Sequence, residues 1–209
     1  MAITYPLSLP GTGEHSKSVF TGKSVVAVSA SPFTGAQQVQ ASQGQWWEAA
    51  LEFPVMSRAD HEQWAAFLLK LNGKEGTFYM GDPDGSTPRG SAATTPGSPQ
   101  VNGASQTGND IVIGGAPTSA TDYLMAGDYV QFGAGSARKL YKILDDVTTD
   151  SGGGATITLW PEVKSAWANG TTVTVSNAMG VFRMQANTFS RESDRGLSYH
   201  FGFACMEVL

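Results

Sequence analysis

Residues 45–85, QWWEAALEFPVMSRADHEQWAAFLLKLNGKEGTFYMGDPDG, constrain the chain most, because they spell strand, capped helix, strand and turn in succession. Trp47, Ala49, Leu51 and Phe53 fall on one side of an extended segment, and Trp46, Glu48, Ala50 and Glu52 on the other. The first side is apolar and needs a core; the second is mixed. Pro54 ends the strand. Ser57 then offers a hydroxyl to the unpaired amides of a new helix, and Asp60 three residues on completes a capping box. Trp64, Phe67, Leu68 and Leu71 follow at the i, i+3, i+4, i+7 spacing of a buried stripe, and Asn72-Gly73 supplies a left-handed stop. This predicts a helix over 57–72 lying on a sheet. Residues 76–80 read as a short aromatic strand, and 81–85 as a reversal rich in glycine and proline.

Elsewhere the pattern is that of short strands. Residues 23–30, KSVVAVSA, form a β-branched run stopped by Ser31-Pro32, and 35–44, rich in Gly, Gln and Ser, read as a connection to the Trp-Trp strand. Residues 86–108 hold mostly Ser, Thr, Pro, Gly, Ala and Asn, so they are expected to be a flexible linker and the first point of proteolytic attack. Beyond it, candidate strands lie at 110–113, 128–132, 139–147, 155–160 and 171–175, which suits a small barrel. A helical turn is expected within 119–126, and 150–154 as a hairpin tip. Finally, Leu197, Tyr199, Phe201, Phe203 and Cys205 alternate with Ser198, His200, Gly202, Ala204 and Met206, which predicts one long closing strand.

An apolar last strand needs a sheet, and the unfinished one is at the start of the chain. The expected fold is therefore mainly β with one principal α-helix: a discontinuous β-sandwich or split barrel carrying an inserted small β-barrel. The outer domain would take residues 1–88 and 178–209, and the insert 89–177.

Composition narrows function more than it defines it. Hydrophobic residues make up 41% of 209, enough for a core, and 25 glycines against 15% charged residues favour turns and strands over a helical bundle. The net charge is −5 and the basic residues never cluster, which argues against tight nucleic-acid binding. No stretch has the length of a membrane helix or the pattern of a signal peptide, so the chain is expected to be made in the cytoplasm without membrane insertion. Cys205 is the only cysteine, so an intrachain disulfide is excluded and a buried apolar role is expected.

Candidate chemistry is sparse. The segment 11–18, GTGEHSKS, has Ser16 where a phosphate loop needs glycine before its lysine, and lacks the strand before and helix after. Asp82-Pro83-Asp84-Gly85 has the start of a calcium loop's spacing, but no carboxylate follows until Asp110, so a turn is the better reading. His15, His61 and His200 show no metal-ligand spacing, and His61 is expected in solvent. No cofactor is expected. Trp47 and Trp64 read as core. Trp160, Trp167 and Tyr129 are candidate contacts for a partner or a sugar, and Trp46, Glu48, Glu52 and His200 for a subunit interface.

Residues 45–85, with Tyr5-Pro6-Leu7-Ser8-Leu9-Pro10 before them, resemble the distal tail proteins of long-tailed bacteriophages. The likeness continues in 126–132 (AGDYVQF), 139–144 (KLYKIL), 159–161 (LWP) and 180–184 (GVFRM), and rests on the order of these pieces. It implies a non-enzymatic structural protein of the virion: a homo-hexameric ring at the distal end of the tail that joins the tail tube to the hub, tip or baseplate proteins and lets DNA pass. A second class of function, host glycan or receptor binding by the inserted barrel, is the alternative.

Overall fold

The computed structural model describes residues 3–11, 15–189, 192–193 and 199–209. In chain order the elements are β1 (Lys17–Ala30), β2 (Gln37–Glu52), α1 (Arg58–Lys70), β3 (Phe78–Met80), β4 (Gln100–Val101), β5 (Gln106–Gly114), β6 (Tyr129–Phe132) and β7 (Lys139–Ile143). After them come β8 (Ala155–Trp167), β9 (Val173–Thr174), β10 (Gly180–Met184), β11 (Glu192–Ser193), β12 (Tyr199–His200) and β13 (Gly202–Glu207). The protein is mostly β, with α1 the one α-helix among the described residues.

Two sheets carry the architecture. One has five strands in the order β1-β2-β13-β10-β3; the other has six, β4-β5-β8-β7-β6-β9, and is nearly closed into a barrel. Closure comes from backbone bonds between its first and last segments: Val101 N–H donates to Thr171 O at 2.9 Å, Gly170 N–H to Val101 O at 2.8 Å, and Val173 N–H to Pro99 O at 2.9 Å. A closed ladder leaves few unpaired edge groups. In the five-stranded sheet the β3 edge is covered by the N-terminal segment, where Leu7 N–H donates to Thr77 O and Tyr79 N–H to Leu7 O, both at 2.9 Å.

The helix forms as its sequence dictates. Ser57 Oγ accepts the amide of Asp60 at 3.2 Å and donates its own proton to the Asp60 carboxylate at 2.7 Å, so cap and third residue satisfy each other. Asn72 and Gly73 take the left-handed backbone that ends it, with φ of 49° and 66°. Trp64, Phe67, Leu68 and Leu71 are buried against the sheet: Trp64 stands 4.5 Å from Phe53, ring to ring, and Phe67 5.7 Å from Phe78.

The two sheets meet at a polar-pinned aromatic seam. Trp47 Nε1 donates to Leu140 O at 3.1 Å. The Glu207 carboxylate, buried, accepts Trp47 N–H at 3.3 Å and Leu140 N–H at 3.4 Å, so one acid from the last strand ties β2 to β7. Burying a carboxylate is tolerable only with such partners.

The fold corrects several expectations. Residues 37–44, read as a connection, belong to a strand. The segment 86–108 is packed: Ala92 and Val101 are buried, a 3-10 turn covers Ser91–Ala93, and Arg89 and its backbone amide bond to the Asp128 carboxylate. A few small apolar residues suffice to seat it, which its polar composition conceals. Residues 119–126 form turns without helix, yet Tyr123 and Leu124 are fully buried. The closing strand is interrupted at Phe201, so β12 pairs with β11 while β13 joins the large sheet; Leu197 and Ser198 lie outside the described residues. His61 is buried against Tyr199 and Phe201, because it sits on the flank of the stripe that faces β12.

Candidate functional site

The feature unexplained by folding is the outer part of the β1–β2 hairpin. The two strands pair from Lys17↔Glu52 to Ala30↔Gln37, with one register shift between Ser24 and Val26. At the base the hairpin is held: β13 pairs with β2 over Glu48–Glu52, and Phe20 packs on Trp47 and Phe182 at 6.2 Å from each. Past this base residues 21–30 and 37–43 are exposed on both faces. At about 3.3 Å per residue, that part of β1 reaches roughly 30 Å.

Register and pleat sort its side chains. Val28 lies opposite Val39 and Val26 opposite Ala41, so Val26, Val28, Ala30, Val39 and Ala41 share one face, while Ala27, Ser29, Gln38 and Gln40 share the other. Val28 and Val39 are 59% and 61% exposed. The tip is built: Ser31 N–H donates to Ala36 O at 2.9 Å, Gly35 N–H to Ser31 O at 3.0 Å, and Ser31 Oγ accepts the amides of Phe33 and Thr34 at 3.4 Å. That turn presents Phe33 at 95% exposure.

Among the described residues no other strand pairs with the outer edge of β1. Proteins usually blunt such edges with charge, proline or bulges. Here residues 24–47 carry no charged residue at all, and along the paired strands the bulge near Val25 is the one such device, Pro32 lying in the turn. An amphipathic ribbon with a bare apolar face and open edges can dock by its face, pair by its edge, or both.

Of the residues expected at a subunit interface, Trp46, Glu48 and Glu52 come together on the solvent-side face of β2 at the arm's base. Trp46 Nε1 donates to Glu48 Oε1 at 3.2 Å, Lys23 pairs with Glu48 at 3.6 Å, and Lys17 with Glu52 at 3.0 Å. These exposed ion pairs fix the arm's register more than they stabilise it. His200 is apart from them, its backbone opposite Glu192; its side chain is outside the described residues. Of the expected ligand contacts, Trp160 and Tyr129 come together at the seam, 4.5 Å and 5.7 Å from the Trp47 ring. Tyr129 is buried under Lys142, whose Nζ lies 4.5 Å from the ring centre, and burial with the nearby Asp82 carboxylate holds its hydroxyl proton well beyond the ordinary tyrosine range. Trp167 is elsewhere, half-buried with its ring 6.0 Å from Phe132. The three do not form one surface.

Chemical groups converge little. Among the described residues no three His, Cys, Asp or Glu side chains are placed to hold a metal ion. Asp82 Oδ1 accepts the Asp84 amide at 3.2 Å, closing the turn read there. Lys17, from the glycine-rich segment, is part of β1; residues 12–14 are outside the described set. Cys205 is fully buried, its thiol donating weakly to Ala49 O at 3.6 Å, and burial pushes its pKa up. No helix among the described residues is long and apolar enough to cross a membrane.

Sequence reasoning missed the arm. The signal was present in the alternation of Val26, Val28 and Ala30 with its mirror in Val39 and Ala41 around Pro32-Phe33-Thr34-Gly35. No family model matches the chain, and no curated protein matches it.

Proposed function

We propose that this chain is a structural protein of the bacteriophage virion that assembles with its own copies into a ring at the distal end of a long tail. The ring, a hexamer in this reading, joins the tail tube above to hub or tip proteins below and leaves an axial passage for DNA. The observation that carries the proposal is the β1–β2 arm, a long uncharged ribbon with an apolar face, bare in the single chain. A folded protein gains nothing in stability from such an arm, which instead exposes a template for association. Head-to-tail contact between an arm and the body of the next copy is a heterologous interface, and it closes into a ring when the rotation per copy divides a full turn. The resemblance of residues 5–10, 45–85, 126–132, 139–144, 159–161 and 180–184 to distal tail proteins supports the same reading.

The working parts are geometric. Glu207 and Trp47 lock the two sheets into one presenting frame, and the Lys17–Glu52 and Lys23–Glu48 pairs hold the arm's root in register. The host-glycan alternative draws less support, since Tyr129 is buried and Trp160 and Trp167 are half-buried in separate places. Negative-stain images of the purified chain test the proposal: annular particles of one size are expected, and a population of single subunits at every concentration would overturn it.

A further inference from the structure

Two features are left over after folding: an aromatic held out in solvent and a cleft lined in part by aromatic, thioether and guanidinium groups. Phe33 is 95% exposed on a turn whose backbone is braced by the Ser31 hydroxyl, so its ring is held out in solvent. The cleft, about 490 Å3, is walled by Leu9, Tyr79, Pro83, Met179 and Arg138. The Arg138 guanidinium lies 4.4 Å from the Tyr79 ring centre, and its Nη1 is 3.9 Å from Met179 Sδ. Asp82, Ser8, Ser86 and Asn177 also line the cleft, so its wall is mixed; the corner formed by Tyr79, Met179 and Arg138 is the part whose chemistry attracts an aromatic ring.

Resting on the proposed self-assembly, we infer that the arm tip of one copy seats Phe33 in this cleft of the next copy. Three points fit the second copy as occupant. The tip from Ser29 to Gln38 carries no charge, while all 13 basic and 18 acidic residues of the chain lie outside 24–47, so the arm approaches a like-charged body without repulsion. Among the larger openings this one has the aromatic and sulfur lining; the space beside Lys139 and Glu207, at about 60 Å3, is too small for a phenyl ring. The arm extends roughly 30 Å past the base that holds it, so its tip lies well beyond the strands that anchor it in its own body.

The test uses the full chain. Phe33→Ala should leave thermal melting unchanged, because the side chain is already 95% exposed, and should weaken self-association at least roughly tenfold, as removal of a buried anchor does. Arg138→Glu, changing the other side of the contact, should weaken it comparably. For placement, Thr34→Cys and Ser8→Cys chains are mixed and oxidised with Phe33 intact; Cys205, being buried, stays silent. A disulfide joining the two different chains is expected. Wild-type assembly with an equally competent Phe33→Ala variant and no crosslink would overturn the seat while leaving the ring proposal standing. Assembly that depends on Phe33 without the crosslink would place the tip elsewhere and overturn the cleft. A wild-type chain that stays monomeric would overturn both.

Discussion

At the root of the arm, a Cβ added to Gly22 would stand 2.6 Å from Cη2 of Trp160, closer than real atoms approach, so glycine is what lets β1 lie against the seam. Gly22→Val is expected to cost about 1–3 kcal/mol by overpacking, read as a lower thermal midpoint; an unchanged midpoint would show that Trp160 moves freely. The buried ionisable groups set the alkaline limit. Burial raises the Cys205 thiol and the Tyr129 and Tyr141 hydroxyls above their ordinary values of 9.0 and 10.0, and pushes Tyr123 up to about 12. Above pH 9 the unfolded chain therefore releases protons that the folded chain keeps, so their contribution is whole below that pH and falls as pH rises. Melting followed from pH 8 upward should show a midpoint that begins to decline near pH 9, roughly the free thiol value; a flat profile through the tyrosine range would contradict the burial.

The helix and the arm show two ways in which an element relates to its sequence. Ser57→Ala removes the oxygen that accepts the Asp60 amide and should cost about 1 kcal/mol, whereas Val28→Lys with Val39→Glu, an opposite-charge cross-strand pair on side chains already in water, should leave the melting midpoint where it is and abolish assembly. Solution mass and melting curves measured together separate these effects. The helix was legible because its signals are local: a cap, a 3.6-residue stripe and an Asn-Gly stop all agree. The arm was half legible. Its first strand has β-branched residues, but Gln37–Gly44 alternates glutamine with small residues and resembles a loop until the register with β1 is known. The packed stretch at 86–108 was hidden for the opposite reason: Ala92 and Val101 are buried by the barrel around them, a tertiary fact with no periodic trace in a segment of Ser, Thr, Pro and Gly.

For the whole molecule, the last strand returns to the sheet begun by β1 and β2, and the barrel closes on itself, so the arm is the one long element among the described residues left without a packing partner. The same pattern of burial moves the expected protease-sensitive point: limited digestion should nick residues 31–36 first and spare 86–108, with fragment masses deciding between them. Glu207 and the seam residues keep the body rigid enough to hold that arm at a fixed angle, which a closed ring requires. Light scattering of the intact chain beside the Val28→Lys, Val39→Glu variant tests the central claim most directly. The account predicts a single closed oligomer for the intact chain and a folded monomer for the variant. Equal masses for the two, at matched concentration and with matched melting curves, would contradict it.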